Sequence, residues 1–173
     1  TKAVSTLTNT KVVGMDPSPE AISLARKKHP GIAFRVADAR TYRRSRKFDY
    51  AIANMVLHSV DDSTALGILS GLHRNLRVCG GLIMIVPTQL WVEQKLIEYA
   101  QSHVKLRNNG QEWVESQLHK KEVVMLMKIR GGNFYPEPLT IFNRTQEDYG
   151  KLLLRAGFGV DIEESLMDGS RVS

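Results

Sequence analysis

The stretch of sequence that decides the fold is "KVVGMDPSPEAISLARKKHP", residues 11–30. Here an apolar run ends at an acidic residue, Asp16, and the chain turns through Pro-Ser-Pro. Residues 12–15 are typical of a buried strand, and residues 19–28 of a helix with Ser18 as its N-cap. Proline fits the first helical position, because no N–H is needed there. The stretch therefore predicts a strand, a short turn and a helix.

The alternation of strand and helix continues along the chain. Short apolar runs separated by helical patterns are typical of βαβ units, which favour an α/β fold with a doubly wound, mostly parallel sheet. Thr145 is the predicted cap of the last helix, because Asp148 follows it by three residues. The other predicted elements are strands over residues 32–37, 48–53, 82–86 and 160–166, helices over residues 63–77 and 145–156, and a turn at residues 79–81.

Residues 88–128 depart from this alternation. They have the pattern of two amphipathic helices, the second reaching Met125, with a break near Gly110. Two helices exceed what a crossover between neighbouring strands needs. We therefore expect residues 88–135 to form a helical cover, inserted after the strand at residues 82–86 within a single domain of residues 1–173.

Composition limits the classes of function. The chain has 173 residues, which fits one domain, and no apolar run is long enough to span a membrane. Cys79 is its only cysteine, so we expect no disulfide within the chain, no metal centre and a cytoplasmic location. The net charge is +6, and much of it lies in "RTYRRSRK", residues 40–47. We expect a solvated basic loop, because only Tyr42 offers an aromatic ring for base stacking.

Polar residues follow three successive predicted strands: Asp16, Asp38 and Asn54. In doubly wound sheets, ligands bind in the crevice outside the carboxyl ends of the strands. An acidic residue at a strand end can accept hydrogen bonds from the ribose hydroxyls of a nucleoside. The alternative is that each residue only caps a loop or helix. Because three occur in register, we favour a nucleoside site.

Five segments of the sequence form an ordered series: "VVGMDPSPEAISLARKK", "IAFRVADAR", "FDYAIANMVLHSVDD", "LHRNLRVCGGLIMIVP" and "RTQEDYGKLLLRAGF". They resemble consecutive motifs of the class I S-adenosylmethionine-dependent methyltransferases. The resemblance covers roughly residues 3–87 and 143–162, and it lies in the order and spacing of the motifs. It is strongest to small-molecule methyltransferases of the ubiquinone-biosynthesis type.

The resemblance implies a Rossmann-like sheet of seven strands, with S-adenosylmethionine as cofactor and S-adenosylhomocysteine as product. The family's first strand and glycine-rich loop have no counterpart, because the sequence begins about where that loop should finish. We therefore expect the chain to be part of a longer protein. The implied cofactor-binding residues are Asp16 with Pro17 at the ribose, Asp38 with the Ala39 backbone at the adenine, and Asn54 with Met55 beside the methionine part.

The candidate catalytic residue is His58, one helical turn after Asn54. Methyl transfer asks little of the protein at the sulfonium, but a base helps where the acceptor is protonated. The alternative is a histidine satisfied at a helix start or buried against the sheet. Asp61 and Asp62 are expected to cap the following helix.

Four further residues are candidates for acceptor binding. Trp91, Phe134 and Tyr135 would wall an apolar pocket, and Arg144 would meet an anionic substrate. The alternatives are packing within the cover for Trp91 and a surface position for Arg144. Phe134 and Tyr135 are the stronger candidates, because they follow a glycine pair with no helix to pack.

We therefore expect methyl transfer from S-adenosylmethionine to an O, N or C atom of a small-molecule acceptor. The alternatives are an RNA or protein methyltransferase, with nucleic acid not favoured, and a non-catalytic binding module that lacks the cofactor loop. A nicotinamide-binding dehydrogenase also uses an acidic strand end, but Asp38 and the segment from Asn54 to His58 argue against it. The sequence leaves the oligomeric state open.

Overall fold

The computed structural model of the chain describes residues 10–102, 110–125 and 139–159. The chain divides into two compact units. The first holds residues 10–52 and 67–83, and the second holds residues 53–66 and the described residues from 84 onward. The elements are β1 (Val13–Asp16), α1 (Pro19–Lys28), β2 (Ala33–Val36), β3 (Phe48–Asn54), a 3-10 turn (Leu57–Ser59), α2 (Asp62–Asn75), β4 (Leu76–Ile85), α3 (Gln89–Ser102), α4 (Gly110–Leu118), β5 (Glu122–Met125), β6 (Leu139–Phe142) and α5 (Gln146–Arg155).

The first unit begins with the predicted strand, turn and helix. Strands β1 and β2 run parallel, with Asp16 opposite Val36, and α1 packs on both. The Ser18 hydroxyl accepts a hydrogen bond from the Ala21 N–H at 3.1 Å and so caps α1. The helix has the predicted bounds, because its cap, its proline and its apolar face all lie within one short segment.

Strands β3 and β4 pair with each other. The start of β4 differs from two predictions, the end of the preceding helix at residue 77 and the turn that follows it. Helix α2 ends at Asn75, and β4 begins at once, so the predicted turn at residues 79–81 lies inside this strand. Cys79 adopts a left-handed φ of 62° without ending the strand. A Cβ on Gly80 would lie 3.0 Å from the Asp49 carbonyl oxygen, so this glycine allows close approach to β3. Gly80 therefore marks a close backbone contact between the strands, and the prediction of a turn was wrong.

In the second unit, helices α3 and α4 pack together, and strands β5 and β6 pair antiparallel. The helical interpretation of residues 122–125 was wrong, and β6 was not predicted. Val123 lies opposite Ile141, and the two side chains are 0% and 1% exposed, so burial of this pair favours antiparallel strands over a helix. Their core also contains buried residues from α3 and α4, namely Val92, Leu96, Ala100 and Val114.

Helix α5 follows its prediction. The Thr145 hydroxyl accepts a hydrogen bond from the Asp148 N–H at 3.2 Å, and the Asp148 carboxylate accepts one from the Thr145 N–H at 3.0 Å. This capping box fixes where the helix begins. Gly157 has a φ of 98° and stands just past its end, where the left-handed region favours glycine. The predicted strand at residues 160–166 lies outside the described residues.

Candidate functional site

Asp16 is the last residue of β1, and its carboxylate is oriented by its own turn. Its Oδ1 accepts a hydrogen bond from the Ser18 N–H at 2.8 Å, across the exposed Pro17. Its carbonyl accepts from the Ala37 N–H at 3.0 Å, which ties the end of β1 to the end of β2. Oδ2 of Asp16 accepts no hydrogen bond from any residue that the structure describes. Among the described residues, this oxygen of the half-buried Asp16 is open to a ligand at the edge of the sheet.

Asp38 lies two residues beyond β2, at the same edge, and makes the same kind of turn. Its Oδ1 accepts from the Arg40 N–H at 2.8 Å. The Arg40 guanidinium then pairs with both oxygens, with Nε 2.8 Å and Nη2 2.6 Å from Oδ2. These hydrogen bonds from Arg40 hold the pKa of the Asp38 carboxyl below its ordinary value. Each oxygen of Asp38 therefore already accepts two hydrogen bonds.

The structure thus brings Asp16 and Asp38 together at the carboxyl ends of two paired parallel strands. Asp suits both positions, because its short side chain reaches the N–H two residues ahead. The acidic strand ends were recognised in the sequence, but the contact of Arg40 with the Asp38 carboxylate was not. The signal for it was a basic residue two positions after the aspartate.

Asn54 and Met55 lie in the second unit, where β3 ends. Asn54 is the last residue of the strand and is exposed. Met55 adopts a left-handed φ of 53°, and its N–H donates to the Ile85 carbonyl at 2.8 Å. The chain therefore leaves β3 through a sharp turn that is fixed to the end of β4.

His58 lies in the 3-10 turn and is half-buried. Its Nε2 is 3.2 Å from the Ser59 hydroxyl, while Nδ1 is buried and has no partner among the described residues. Burial, together with the positive charge of Arg144, lowers the pKa of the His58 imidazole below 6.5. His58 is therefore neutral at pH 7. We expected the hydrogen-bonding groups of this histidine to have partners at a helix start. Among the described residues, Nε2 has such a partner and Nδ1 does not.

Arg144 is buried, with its side chain 4% exposed, so the expectation of a surface position was wrong. Its Nη1 and Nη2 donate to the carbonyls of Leu57 and Val60, both at 2.6 Å, and Nε donates to the Asp62 carboxylate at 2.7 Å. The guanidinium binds carbonyls on both sides of His58 in this turn. Its partners are therefore groups of the protein, whereas a substrate anion was expected. Sequence patterns carry no signal for this role, because the partners lie 82 to 87 residues away.

Asp61 caps α2, as expected. Its Oδ1 accepts hydrogen bonds from the Thr64 N–H and the Ser63 hydroxyl, both at 2.8 Å. These bonds lower the pKa of the Asp61 carboxyl. Asp62 does not cap the helix in this way, because its carboxylate accepts from Arg144.

The candidates for acceptor binding are only partly described. Trp91 packs against the core of α3 and α4, and the Lys95 ammonium lies 5.9 Å from the centre of its ring. Phe134 and Tyr135 lie outside the described residues. In the described part of the chain, no cluster of His, Cys, Asp and Glu is placed to hold a metal, and no helix has the length and apolar character needed to cross a membrane.

A family model described as a methyltransferase domain matches residues 1–80. No curated protein matches the chain significantly. Solved structures do match. The S-adenosylmethionine-dependent methyltransferase from Clostridium acetobutylicum superimposes with a TM-score of 0.68 at 13% identity, covering 95% of this chain and 70% of that one.

Two other matching structures are methyltransferases with named classes of substrate. The amino pentose methyltransferase CalS10 from Micromonospora echinaspora, solved with S-adenosylmethionine bound, has a TM-score of 0.56 at 13% identity, with 89% of this chain and 69% of that one covered. The sugar N-methyltransferase KedS8 from a Streptoalloteichus species has a TM-score of 0.55 at 14% identity, with 92% and 66% covered. At these identities the likeness shows the Rossmann-like fold. The chain therefore matches a methyltransferase-domain model over its first 80 residues, and its fold is similar to that of S-adenosylmethionine-dependent methyltransferases, the family that its motifs resemble.

Proposed function

We propose that the chain transfers the methyl group of S-adenosylmethionine to a small-molecule acceptor. The observation that carries the proposal is the pair of carboxylates, Asp16 and Asp38, at the ends of two paired parallel strands. Two matching structures are named as methyltransferases of an amino pentose and of a sugar, which supports a small-molecule acceptor.

The residues at this edge fit the adenosine of the cofactor. Asp16 would accept the ribose hydroxyls at its open oxygen, Oδ2, with Pro17 keeping the turn short. Asp38 would accept the adenine amino group, and the Ala39 backbone would meet the ring. Because Arg40 already supplies two hydrogen bonds to each Asp38 oxygen, the amino group must replace or share one of them. S-adenosylmethionine supplies a methyl group that its sulfonium activates for transfer.

In the second unit, we propose that Asn54 and Met55 lie beside the methionine part of the cofactor, and that His58 serves as base when the acceptor is protonated. Neutral His58 can take a proton at pH 7, which supports this role. The proton must go to Nε2, because Nδ1 is buried. Nε2 must then accept from Ser59, with the resting proton on Nδ1.

Selection of the acceptor is proposed for the cover at residues 88–135, which includes Trp91, Phe134 and Tyr135, within a single domain of residues 1–173. Arg144 is proposed to hold the His58 turn. The single cysteine favours a reducing location such as the cytoplasm.

Calorimetric titration with S-adenosylmethionine, and separately with NADH, tests the proposal. We expect the first ligand to bind and the second not to. Asp16→Ala should weaken binding by about tenfold or more, because a hydrogen bond to a charged group is lost. Asp16→Asn keeps an oxygen for the Ser18 N–H and isolates the loss of charge. Asp49→Ala removes another exposed carboxylate of the first unit and should have no effect.

Unchanged affinity in Asp16→Ala would contradict the assignment of the ribose site. Binding of neither ligand would favour the alternative of a non-catalytic module, and binding of NADH alone would favour a dehydrogenase.

A further inference from the structure

Gly71 lies directly beneath the loop that carries the proposed adenine site. This glycine belongs to the last turns of α2 and is buried. A Cβ built on it would overlap the Ala39 carbonyl oxygen and lie 2.8 Å from the carbonyl carbon and 3.2 Å from the Arg40 Cα. Only a residue without a side chain lets the helix and this backbone approach so closely.

Other contacts between α2 and the loop converge on the same place. The Arg74 guanidinium donates to the Arg40 carbonyl at 2.9 Å. The buried Asn75 amide donates to the Tyr42 carbonyl at 3.0 Å and to the carbonyl of Gly71 at 2.8 Å. The helix therefore contacts the loop backbone at residues 39, 40 and 42, and none of these contacts involves the Asp38 carboxylate.

We propose that Gly71 is a positioning residue for adenine recognition: the bare helix surface at this glycine sets where the Asp38 carboxylate and the Ala39 backbone stand. This inference rests on the proposed function and adds to it a specificity determinant that does not itself touch the cofactor. A methyl group at position 71 displaces the Ala39 carbonyl, and Asp38 moves with it, since the two are adjacent.

The test compares the affinities of S-adenosylhomocysteine and S-inosylhomocysteine, in which an oxygen replaces the adenine amino group. The wild-type chain should prefer the adenosine compound by about ten- to a hundredfold, because the inosine compound cannot make the hydrogen bond from the amino group to the charged carboxylate. In Gly71→Ala this preference should fall towards one. A loss of stability alone would not change the ratio of the two affinities.

Gly150→Ala is the matched control. It adds the same methyl group to a helical glycine, in α5, where nothing lies within 4 Å, so the preference should be retained. Arg74→Ala is the second variant, because it removes one loop contact without steric overlap. It should weaken S-adenosylhomocysteine several-fold more than S-inosylhomocysteine.

An unchanged preference in Gly71→Ala would overturn the inference and leave the proposed function intact. Should that variant not fold, an unchanged preference in Arg74→Ala overturns it. Equal binding of both compounds by the wild-type chain would contradict the adenine site at Asp38. Failure of the wild-type chain to bind S-adenosylhomocysteine would overturn the proposed function and this inference with it.

Discussion

At the scale of the single residue, Asp16 and Asp38 share one hydrogen-bonding arrangement. Each carboxylate accepts a hydrogen bond from the N–H two residues ahead, from Ser18 and from Arg40, both at 2.8 Å. This bond orients the side chain before any ligand arrives, so little rotamer entropy is lost on binding. The two sites differ in one respect: Asp16 keeps an oxygen open to a ligand, whereas Arg40 occupies both oxygens of Asp38.

Arg40→Ala should therefore tighten the binding of S-adenosylhomocysteine by up to about fivefold. The ion pair of Arg40 with Asp38 is exposed, and such pairs contribute about 0–1 kcal/mol, which sets the cost of releasing the carboxylate. Calorimetry measures the change. Arg43→Ala is the control, because Arg43 is an exposed arginine of the same segment whose acceptors in the described part of the chain are backbone carbonyls. Weaker binding in Arg40→Ala would mean that Arg40 orients Asp38 and does not compete for it.

At the scale of elements, sequence predicts what short segments decide. The caps at Ser18 and Thr145 were predicted because each contact lies within three residues of the chain. The start of β4 and the strand β5 were not predicted, since both depend on pairing with distant segments. The acidic residues of the candidate site, Asp16 and Asp38, could therefore be predicted from short segments. The turn around His58 could not, because Arg144 holds it from 84 to 87 residues away.

The His58 turn gives the chain a pH-dependent element of stability. The pKa of His58 in the folded chain lies below 6.5, so unfolding takes up a proton as the pH falls through that value. The free energy of unfolding should therefore decrease as the pH falls from about 7 through 6.5 and on to the lower pKa of the folded state. His58→Gln should remove this part of the pH dependence.

Urea unfolding of both chains at a series of pH values measures the effect. His119→Gln, which replaces an exposed histidine just after α4, should keep the wild-type slope. If the free energy of unfolding depends on pH in the same way in His58→Gln and in the wild-type chain, His58 is not held neutral by its burial and by Arg144.

For the whole molecule, the question is what the net charge of +6 attracts. Within residues 40–47, several cations already have partners in the chain. The Arg43 guanidinium donates to the carbonyls of Arg40 and Tyr42, the Lys47 ammonium donates to the Arg74 carbonyl, and the Arg44 guanidinium lies 4.7 Å from the centre of the Phe48 ring. These contacts support the solvated basic loop expected from the sequence over a surface for nucleic acid.

Binding to RNA should therefore be weak and non-specific. At physiological salt we expect dissociation constants of about 10⁻⁴ to 10⁻⁶ M for single-stranded RNA, with affinity falling steeply as salt rises, because released counterions supply the binding energy. Fluorescence anisotropy over a salt series measures this. Exchanging Arg43 and Arg46 for glutamate should abolish RNA binding and leave the affinity for S-adenosylhomocysteine unchanged, since neither residue belongs to the proposed cofactor site. Tight binding that resists salt would instead make RNA the acceptor, in place of the proposed small molecule.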